Sequence, residues 1–239
     1  MRLPAACAIA AVVAALSGHA ATVEGSIVLT DSQDPGVVKK KDYSGVVVWL
    51  EGADGKPIPA TPRTVTMRQR NKRFDPHTLA IPVGTVVDFP NFDPIFHNAF
   101  SNFSGQPFDV GLYAPGTTRK IEFRRAGIVR VFCNIHPTMS AVIAVVPTPY
   151  LAVTTRGGSF SIDGVEPGAY RLKLFHERST AAELQAREQT VTVPRSGLEL
   201  PAVRLSETGY LPVPHKNKYG KPYPPPADGP ATYPSRRNE

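Results

Sequence analysis

The chain has 239 residues, with 27 Lys and Arg against 20 Asp and Glu, and it contains 25 prolines, 6 histidines and 2 cysteines. A hydrophobic content of 41% excludes wholesale disorder, and two cysteines exclude a disulfide-rich scaffold and a four-cysteine zinc or iron–sulfur site. Six histidines are too few for a multicopper enzyme, so any metal chemistry is predicted to be mononuclear.

The N-terminus has the pattern of a secretory signal peptide. Residues 1–20 combine one positive charge, an apolar run at 5–16 and small residues before a cut after Ala20. The apolar run is too short to span a membrane, and no later stretch reaches spanning length. We therefore expect a periplasmic protein that has lost Cys7 and keeps Cys133 as its only cysteine.

Most of the remaining chain has the composition of β-strands. Runs of β-branched and aromatic residues bounded by Gly and Pro predict strands at 45–50, 85–89, 128–132 and 141–146. Residues 180–188 have a helix-favouring composition over about two turns. Many short strands with Gly and Pro turns predict an all-β protein built from sandwiches.

A second, smaller sandwich is predicted from the later part of the chain. Residues 148–206 alternate apolar and polar side chains, and residues 157–177 (GGSFSIDGVEPGAYRLKLFHE) resemble the later half of carboxypeptidase-regulatory-like, or prealbumin-like, modules. Because the segment is short for a sandwich that folds alone, we predict that residues 22–60 complete it as one discontinuous sandwich with the central domain inserted. The alternative is that residues 22–60 add strands to the central domain.

The C-terminal segment and the basic clusters receive simpler interpretations. Residues 207–239 are rich in proline and poor in aliphatic residues, which predicts an extended or disordered tail. The basic clusters at 39–41 and 68–73 are interpreted as solvated loops, with docking to an acidic partner as the alternative. The sequence has no aromatic-interleaved basic helix and no glycine-rich phosphate loop, so nucleic acid is not expected as a partner.

Four potential metal ligands lie in two segments of the central part. Cys133, His136 and Met139 follow a predicted strand within one short loop, and His97 lies in an earlier loop. Two imidazoles, one thiolate and a weak thioether are the donor set of a blue-copper electron-transfer site. Zinc is the competing metal because Cys and His suit it too, but Met is a poor zinc ligand.

The central part resembles the cupredoxins of plastocyanin and amicyanin type over residues 64–146. The resemblance lies in Phe-Asp-Pro at 74–76, in the segment 81–89 that leads to the first histidine, and in Cys-x-x-His-x-x-Met at 133–139. It implies a Greek-key β-sandwich over residues 61–147.

The same resemblance implies the roles of individual residues. His97, Cys133, His136 and Met139 match the ligands of one copper ion that alternates between Cu(I) and Cu(II). Asn98 matches the asparagine whose hydrogen bonds tie the two ligand loops together. The resemblance places the second histidine, His136, at the apolar surface on the solvent side and implies that it is the exit for the electron.

The whole arrangement is similar to exported bacterial proteins often named methylamine utilization proteins. This implies a periplasmic type 1 (blue) copper protein, not an enzyme, that carries single electrons between redox protein partners such as a dehydrogenase or a cytochrome. One alternative is a copper-binding protein for metal delivery, buffering or sensing. Another is an adhesion or structural module whose second sandwich does the biological work.

The other chemistry-bearing residues are given structural interpretations. We expect structural roles for His77 and His176 and a solvated side chain for His215. Asp93 and Asp109 show no paired acid/base spacing. Six phenylalanines surround the first-histidine segment; most are expected in the core, with one or two at an apolar rim where a partner docks.

Overall fold

The computed structural model describes residues 20–102, 105–209 and 215–223. Residues 1–19 of the predicted signal peptide, and the tail apart from 207–209 and 215–223, lie outside the described residues. In the described part, no helix is long and apolar enough to cross a membrane.

The described residues fold almost entirely into strands, and the predicted all-β class is confirmed. The short helices are α1 (Pro35–Lys40) and α2 (Ala181–Ala186). The strands are β1 (Ala21–Thr30), β2 (Val47–Gly52), β3 (Thr64–Thr66), β4 (Arg68–Arg70), β5 (Arg73–Asp75), β6 (Thr78–Pro82), β7 (Thr85–Pro90), β8 (Phe100–Ser101), β9 (Phe108–Asp109), β10 (Thr118–Phe123), β11 (Gly127–Phe132), β12 (Ser140–Val146), β13 (Leu151–Val153), β14 (Ser159–Val165), β15 (Gly168–Phe175), β16 (Gln189–Val193), β17 (Leu198–Glu199) and β18 (Val203–Ser206).

The predicted helix near residue 180 forms as α2. Thr180 is its N-cap, and the Thr180 side chain accepts a hydrogen bond from the Glu183 backbone N–H at 3.2 Å. This satisfies one of the backbone donors that a helix N-terminus leaves without a partner.

The N-terminal strands share a sandwich with the strands that follow residue 147. One sheet has the order β14-β1-β17, with β18 also paired to β1, and the other has the order β13-β2-β15-β16. Their facing sides bury one apolar cluster that includes Ile27, Leu50, Phe160 and Leu172. Strands before residue 60 and strands after residue 147 thus share one core, and the domain boundaries stay a prediction.

The residues between these two parts of the chain form the other sandwich. Its sheets have the orders β10-β7-β3 and β6-β12-β11-β8-β9, and a hairpin of β4 and β5 lies beside them. Phe89, Phe123, Val131 and Ile143 are buried between the sheets. We call this part the metal-site sandwich, because it carries the predicted ligands.

The two sandwiches pack against each other through the outer faces of two sheets. Val47 of β2, Ala80 of β6 and Ala144 of β12 are buried in this contact. An ion pair joins His77 Nε2 to Glu177 Oε1 across it at 2.6 Å. The structural role expected for His77 is therefore that of a bridge between the sandwiches.

Candidate metal centre

Three of the predicted ligands converge at one end of the metal-site sandwich. His97 Nδ1 lies 3.9 Å from Cys133 Sγ, and His136 Nδ1 lies 3.7 Å from the same sulfur. The three donor atoms all lie within 4.8 Å of one another. His97 and Cys133 are fully buried and His136 is half-buried. Donor atoms at this spacing surround a position that one metal ion can occupy.

The loop that carries two of these donors is short because β11 and β12 form a hairpin. Their register ends with Phe132 opposite Ser140, so residues 133–139 form the loop. The Met139 N–H donates to the His136 carbonyl at 3.0 Å, and the Cys133 N–H donates to the Met139 carbonyl at 3.2 Å. These bonds close the loop tightly and keep its side chains together.

Met139 adjoins the three donors through this backbone contact. Its side chain is fully buried, in the same apolar cluster as Cys133. Its role as an axial ligand stays a prediction.

His97 reaches the site from the loop between β7 and β8. Its backbone forms a two-way bridge with Tyr113, with N···O distances of 3.2 and 2.9 Å. Its Nε2 lies 2.8 Å from Asp93 Oδ2, and both side chains are buried. When the neutral ring keeps its proton on Nε2 and donates a hydrogen bond to the carboxylate, Nδ1 is left with a free lone pair towards Cys133. Asp93 therefore orients His97.

Asp93 is held in turn by the tip of the β4–β5 hairpin. The backbone N–H groups of Asn71 and Lys72 donate to its two carboxylate oxygens at 2.6 and 2.8 Å. Both donors have left-handed backbone conformations, with φ of 55° and 54°, which suit the two central residues of a tight hairpin turn. Burial alone would raise the pKa of Asp93, but the bonds with Lys72, His97 and Asn71 outweigh it and lower the pKa.

Asp93 was not predicted to have a role at the site, because the local sequence signal for one is weak. An acid four residues before a histidine in a loop is common, and nothing local in the sequence shows that Asn71 and Lys72 lie against it. Only the folded sheet brings the hairpin tip, the carboxylate and the imidazole together.

Asn98 ties the two ligand loops, as the resemblance implies. Its Oδ1 accepts a hydrogen bond from the Asn134 N–H at 3.3 Å. Its Nδ2 donates to Asp109 Oδ1 at 2.7 Å and to the Gly111 carbonyl at 2.9 Å. The segment next to Cys133 is therefore fastened to the segment next to His97.

Burial governs the protonation of the three donor groups. Burial lowers the pKa of His136 to about 4, and burial also lowers the pKa of His97 although Asp93 opposes the shift. Burial raises the pKa of the Cys133 thiol, partly offset by backbone hydrogen bonds. At neutral pH both imidazoles are therefore unprotonated, and a metal ion that displaced the thiol proton would gain a thiolate ligand. One soft thiolate with two imidazoles fits copper.

Several apolar side chains are exposed on the two ligand loops and next to Tyr113, the residue whose backbone pairs with His97. Exposed hydrophobic residues are ordinary on a protein surface, so the apolar rim at which a partner docks stays a prediction. These side chains and their exposed fractions are Phe92 60%, Phe96 36%, Leu112 59% and Ile135 37%.

Comparisons with known proteins find distant structural likenesses. A mutant of amicyanin with Cu(I) is 16% identical, with a TM-score of 0.33, over 35% of this chain and 82% of that chain. A purple cupredoxin from Nitrosopumilus maritimus is 24% identical, with a TM-score of 0.31, over 34% of this chain and 98% of that chain. A Cu-containing nitrite reductase from Thermus scotoductus SA-01 is 27% identical, with a TM-score of 0.34, over 50% of this chain and 28% of that chain.

No protein-family model and no curated protein matches the sequence. The solved structures are too distant at these TM-scores to assign a function. The assignment of a metal centre therefore depends on the donor atoms of His97, Cys133 and His136.

Proposed function

We propose that this chain is a periplasmic type 1 copper protein that carries single electrons between redox protein partners and catalyses no reaction itself. The observation that carries the proposal is the convergence of His97 Nδ1, Cys133 Sγ and His136 Nδ1 within 4.8 Å. These three residues would hold one ion, and Met139 would supply a weak axial thioether. A bound copper ion stores one electron by alternating between Cu(II) and Cu(I).

The protein's own contribution is a site whose ligands stay in place when the charge of the ion changes. Asp93 fixes the ring of His97, and Asn98 fastens the two ligand loops to each other. A preorganised set of donors does not need to rearrange, so little energy is spent on reorganisation during electron transfer. His136 is half-buried beside exposed Ile135, which makes this edge the proposed route for the electron.

Copper delivery, buffering or sensing is the alternative function. A delivery protein must release its ion to a partner, which is easiest when the ligands are accessible. His97 and Cys133 are fully buried here, and both ligand loops are fastened by hydrogen bonds. This burial favours the electron carrier.

The test of the copper centre is spectroscopic. The mature chain loaded with Cu(II) is expected to show the strong visible absorption of a thiolate–Cu(II) bond and a reversible one-electron wave in voltammetry. Cys133→Ser is expected to remove the absorption and keep the fold, measured by far-ultraviolet circular dichroism. An undiminished band in Cys133→Ser would refute the site. Rapid transfer of copper to a metal-free acceptor, without a reversible wave, would favour delivery.

A further inference from the structure

Residues 215–223, which we call the C-terminal strap, lie against the loop that carries Cys133. The Tyr223 hydroxyl donates a hydrogen bond to the Cys133 carbonyl at 2.6 Å. The Lys218 backbone N–H donates to Asn134 Oδ1 at 2.9 Å. Three consecutive residues of the metal-site sandwich contact the strap, because the His215 ring also stacks on Phe132 with the ring centroids 4.4 Å apart.

The strap also contacts Asp109 on β9, which is hydrogen-bonded to Asn98, the residue after His97. Lys218 Nζ forms an ion pair with Asp109 Oδ2 at 2.7 Å. The other oxygen of Asp109 accepts the hydrogen bond from Asn98, the residue that ties the two ligand loops. Burial alone would raise the pKa of Asp109, but the bonds with Lys218, Gly111 and Asn98 lower it, so the carboxylate stays charged as an acceptor.

The conformation of the strap is fixed by its own hydrogen bonds. The Asn217 and Lys221 backbones pair, with an N···O distance of 2.9 Å, and the Asn217 side chain accepts from the Tyr219 and Lys221 N–H groups. Tyr223 contacts His215 within the strap, with 3.2 Å between the hydroxyl and Nδ1.

The strap carries no apolar anchor in the described core clusters. None of residues 215–223 belongs to the buried apolar clusters of the described residues. Apart from the stacking of His215 on Phe132, its contacts are directed at the backbone of Cys133 and at the two polar side chains Asn134 and Asp109. This distribution indicates a local role at the metal centre rather than a general one in stability.

We propose that the C-terminal strap is a positioning element of the metal centre, in which Tyr223 holds the Cys133 peptide and Lys218 holds Asn134 and Asp109. The strap thereby keeps the Cys133 sulfur directed at the two imidazoles and shields the loop from solvent. Interactions that orient metal ligands from outside the donor set commonly change metal affinity by about 10–100-fold. For the copper-loaded form, this role rests on the proposed function.

The first test uses the metal-free mature chain, in which Cys133 is the only thiol. Tyr223→Phe removes the hydroxyl and keeps the ring that packs on His215. It is expected to raise the rate of Cys133 alkylation by iodoacetamide about fivefold, the effect of one lost hydrogen bond. Tyr219→Phe is the matched control, because Tyr219 lies on the same strap and is 72% exposed, and it should react at the parental rate.

A chain that ends at Gly209 is expected to react at least as fast as Tyr223→Phe and to unfold at nearly the parental temperature. Lys218→Met is a second point variant, for which a rise of about twofold is expected from the lost ion pair. A parental alkylation rate in Tyr223→Phe and in the shortened chain would overturn the proposal. So would a faster rate that appears only together with a lowered unfolding temperature, because global opening would then explain it.

The second test separates the strap from the copper assignment. In the copper-loaded protein, Tyr223→Phe is expected to shift the visible band and the reduction potential and to release Cu(I) faster to a chelator, while Tyr219→Phe matches the parent. If the parental chain takes up no copper, the proposed function fails, and the alkylation rates still decide the role of the strap. An unshifted band and potential in copper-loaded Tyr223→Phe would overturn the role at the centre.

Discussion

At the scale of single residues, the sequence identifies the metal donors Cys133 and His136 but not Asp93, the residue that orients His97. Cys133 and His136 are close in sequence, so a hairpin loop brings them together once its strands are identified. Asp93 acts on His97 only because the sheet places Asn71 and Lys72 against its carboxylate. Such a role depends on contacts between separate elements, and periodicity cannot show it.

Asp93→Asn tests the orientation of His97. The asparagine amide is neutral, and its NH₂ group cannot accept the hydrogen bonds that the carboxylate accepts from the hairpin backbone and from His97. The variant should therefore bind copper about 10–100-fold more weakly, and its free energy of unfolding should be lower by about 1–3 kcal/mol. Affinity is measured by competition with a chelator and stability by urea unfolding. Asp75→Asn, an exposed position in the same hairpin paired with Arg68, is the control and should match the parent in copper affinity. Parental affinity in Asp93→Asn would contradict the orienting role.

Met139 provides the residue-scale test of the axial position. A thioether is a weak neutral donor, so Met139→Leu should still bind copper, and its similar volume should cost less than about 1.5 kcal/mol of stability. The reduction potential should rise in Met139→Leu, because an apolar side chain donates nothing to Cu(II). It should fall in Met139→Gln, because an oxygen donor favours Cu(II). Voltammetry of both variants decides: potentials equal to that of the parent would show that Met139 is a core residue without a role as a ligand.

At the scale of elements, the basic cluster at residues 68–73 forms a hairpin that supports the metal centre, which its composition did not indicate. The sequence predicted a solvated loop there, and the structure forms the β4–β5 hairpin, with Arg70, Lys72 and Arg73 exposed. Its turn has Asn-Lys rather than Asn-Gly at the centre, which weakens the sequence signal for a hairpin. The same turn supports Asp93, so the positive charges lie near the metal centre.

Charge reversal in this hairpin should change the rate of electron transfer to charged reagents. Lys72→Glu keeps the backbone N–H that binds Asp93, and it is expected to slow oxidation of the Cu(I) protein by ferricyanide, an anion, several-fold at low salt. The difference should disappear near 1 M salt, where the screening length is about 3 Å. Lys40→Glu, on α1 in the other sandwich, is the control. Stopped-flow rates that are equal for both variants would exclude the hairpin as a docking surface for anions.

At the scale of the whole molecule, the sequence predicted the strands better than it predicted their packing. Residues 141–146 form a continuous apolar run, which is typical of a strand buried on both faces. Ile143 packs inside the metal-site sandwich and Ala144 packs against the other sandwich, which explains the run. The sequence could not show which surface covers the second face, because small residues such as Ala80 carry little pattern of their own.

Glu207 shows that the sandwich containing β1 extends further along the chain than the composition of the sequence indicates. It opens the proline-rich segment in sequence, yet it is buried, and its backbone N–H donates to the Thr30 carbonyl at 2.9 Å. Its carboxylate lies 2.6 Å from His176 Nε2 and 2.7 Å from Arg178. His176, expected to be structural, is therefore one partner of a buried cluster with Glu207 and Arg178. Two loops and the end of a strand meet in this cluster. The local composition around Glu207 cannot show that these separate parts of the chain come together.

This cluster should make the stability of the molecule depend on acid. Burial disfavours the charged form of Glu207, but the hydrogen bonds with His176, Ser32 and Arg178 outweigh it and lower its pKa from 4.5 to about 2. A carboxyl group with a lowered pKa in the folded state contributes its full stability above pH 4.5 and loses it as the pH falls towards 2. The loss of stability expected from this shift is about 3 kcal/mol.

Urea unfolding at pH 7, 5 and 3 should therefore show a steeper loss of stability in the parent than in Glu207→Gln, which has no proton to gain. Glu199→Gln, an exposed position on β17, should follow the parent. If Glu207→Gln lost stability with acid as steeply as the parent, the acid dependence would have to arise elsewhere in the molecule.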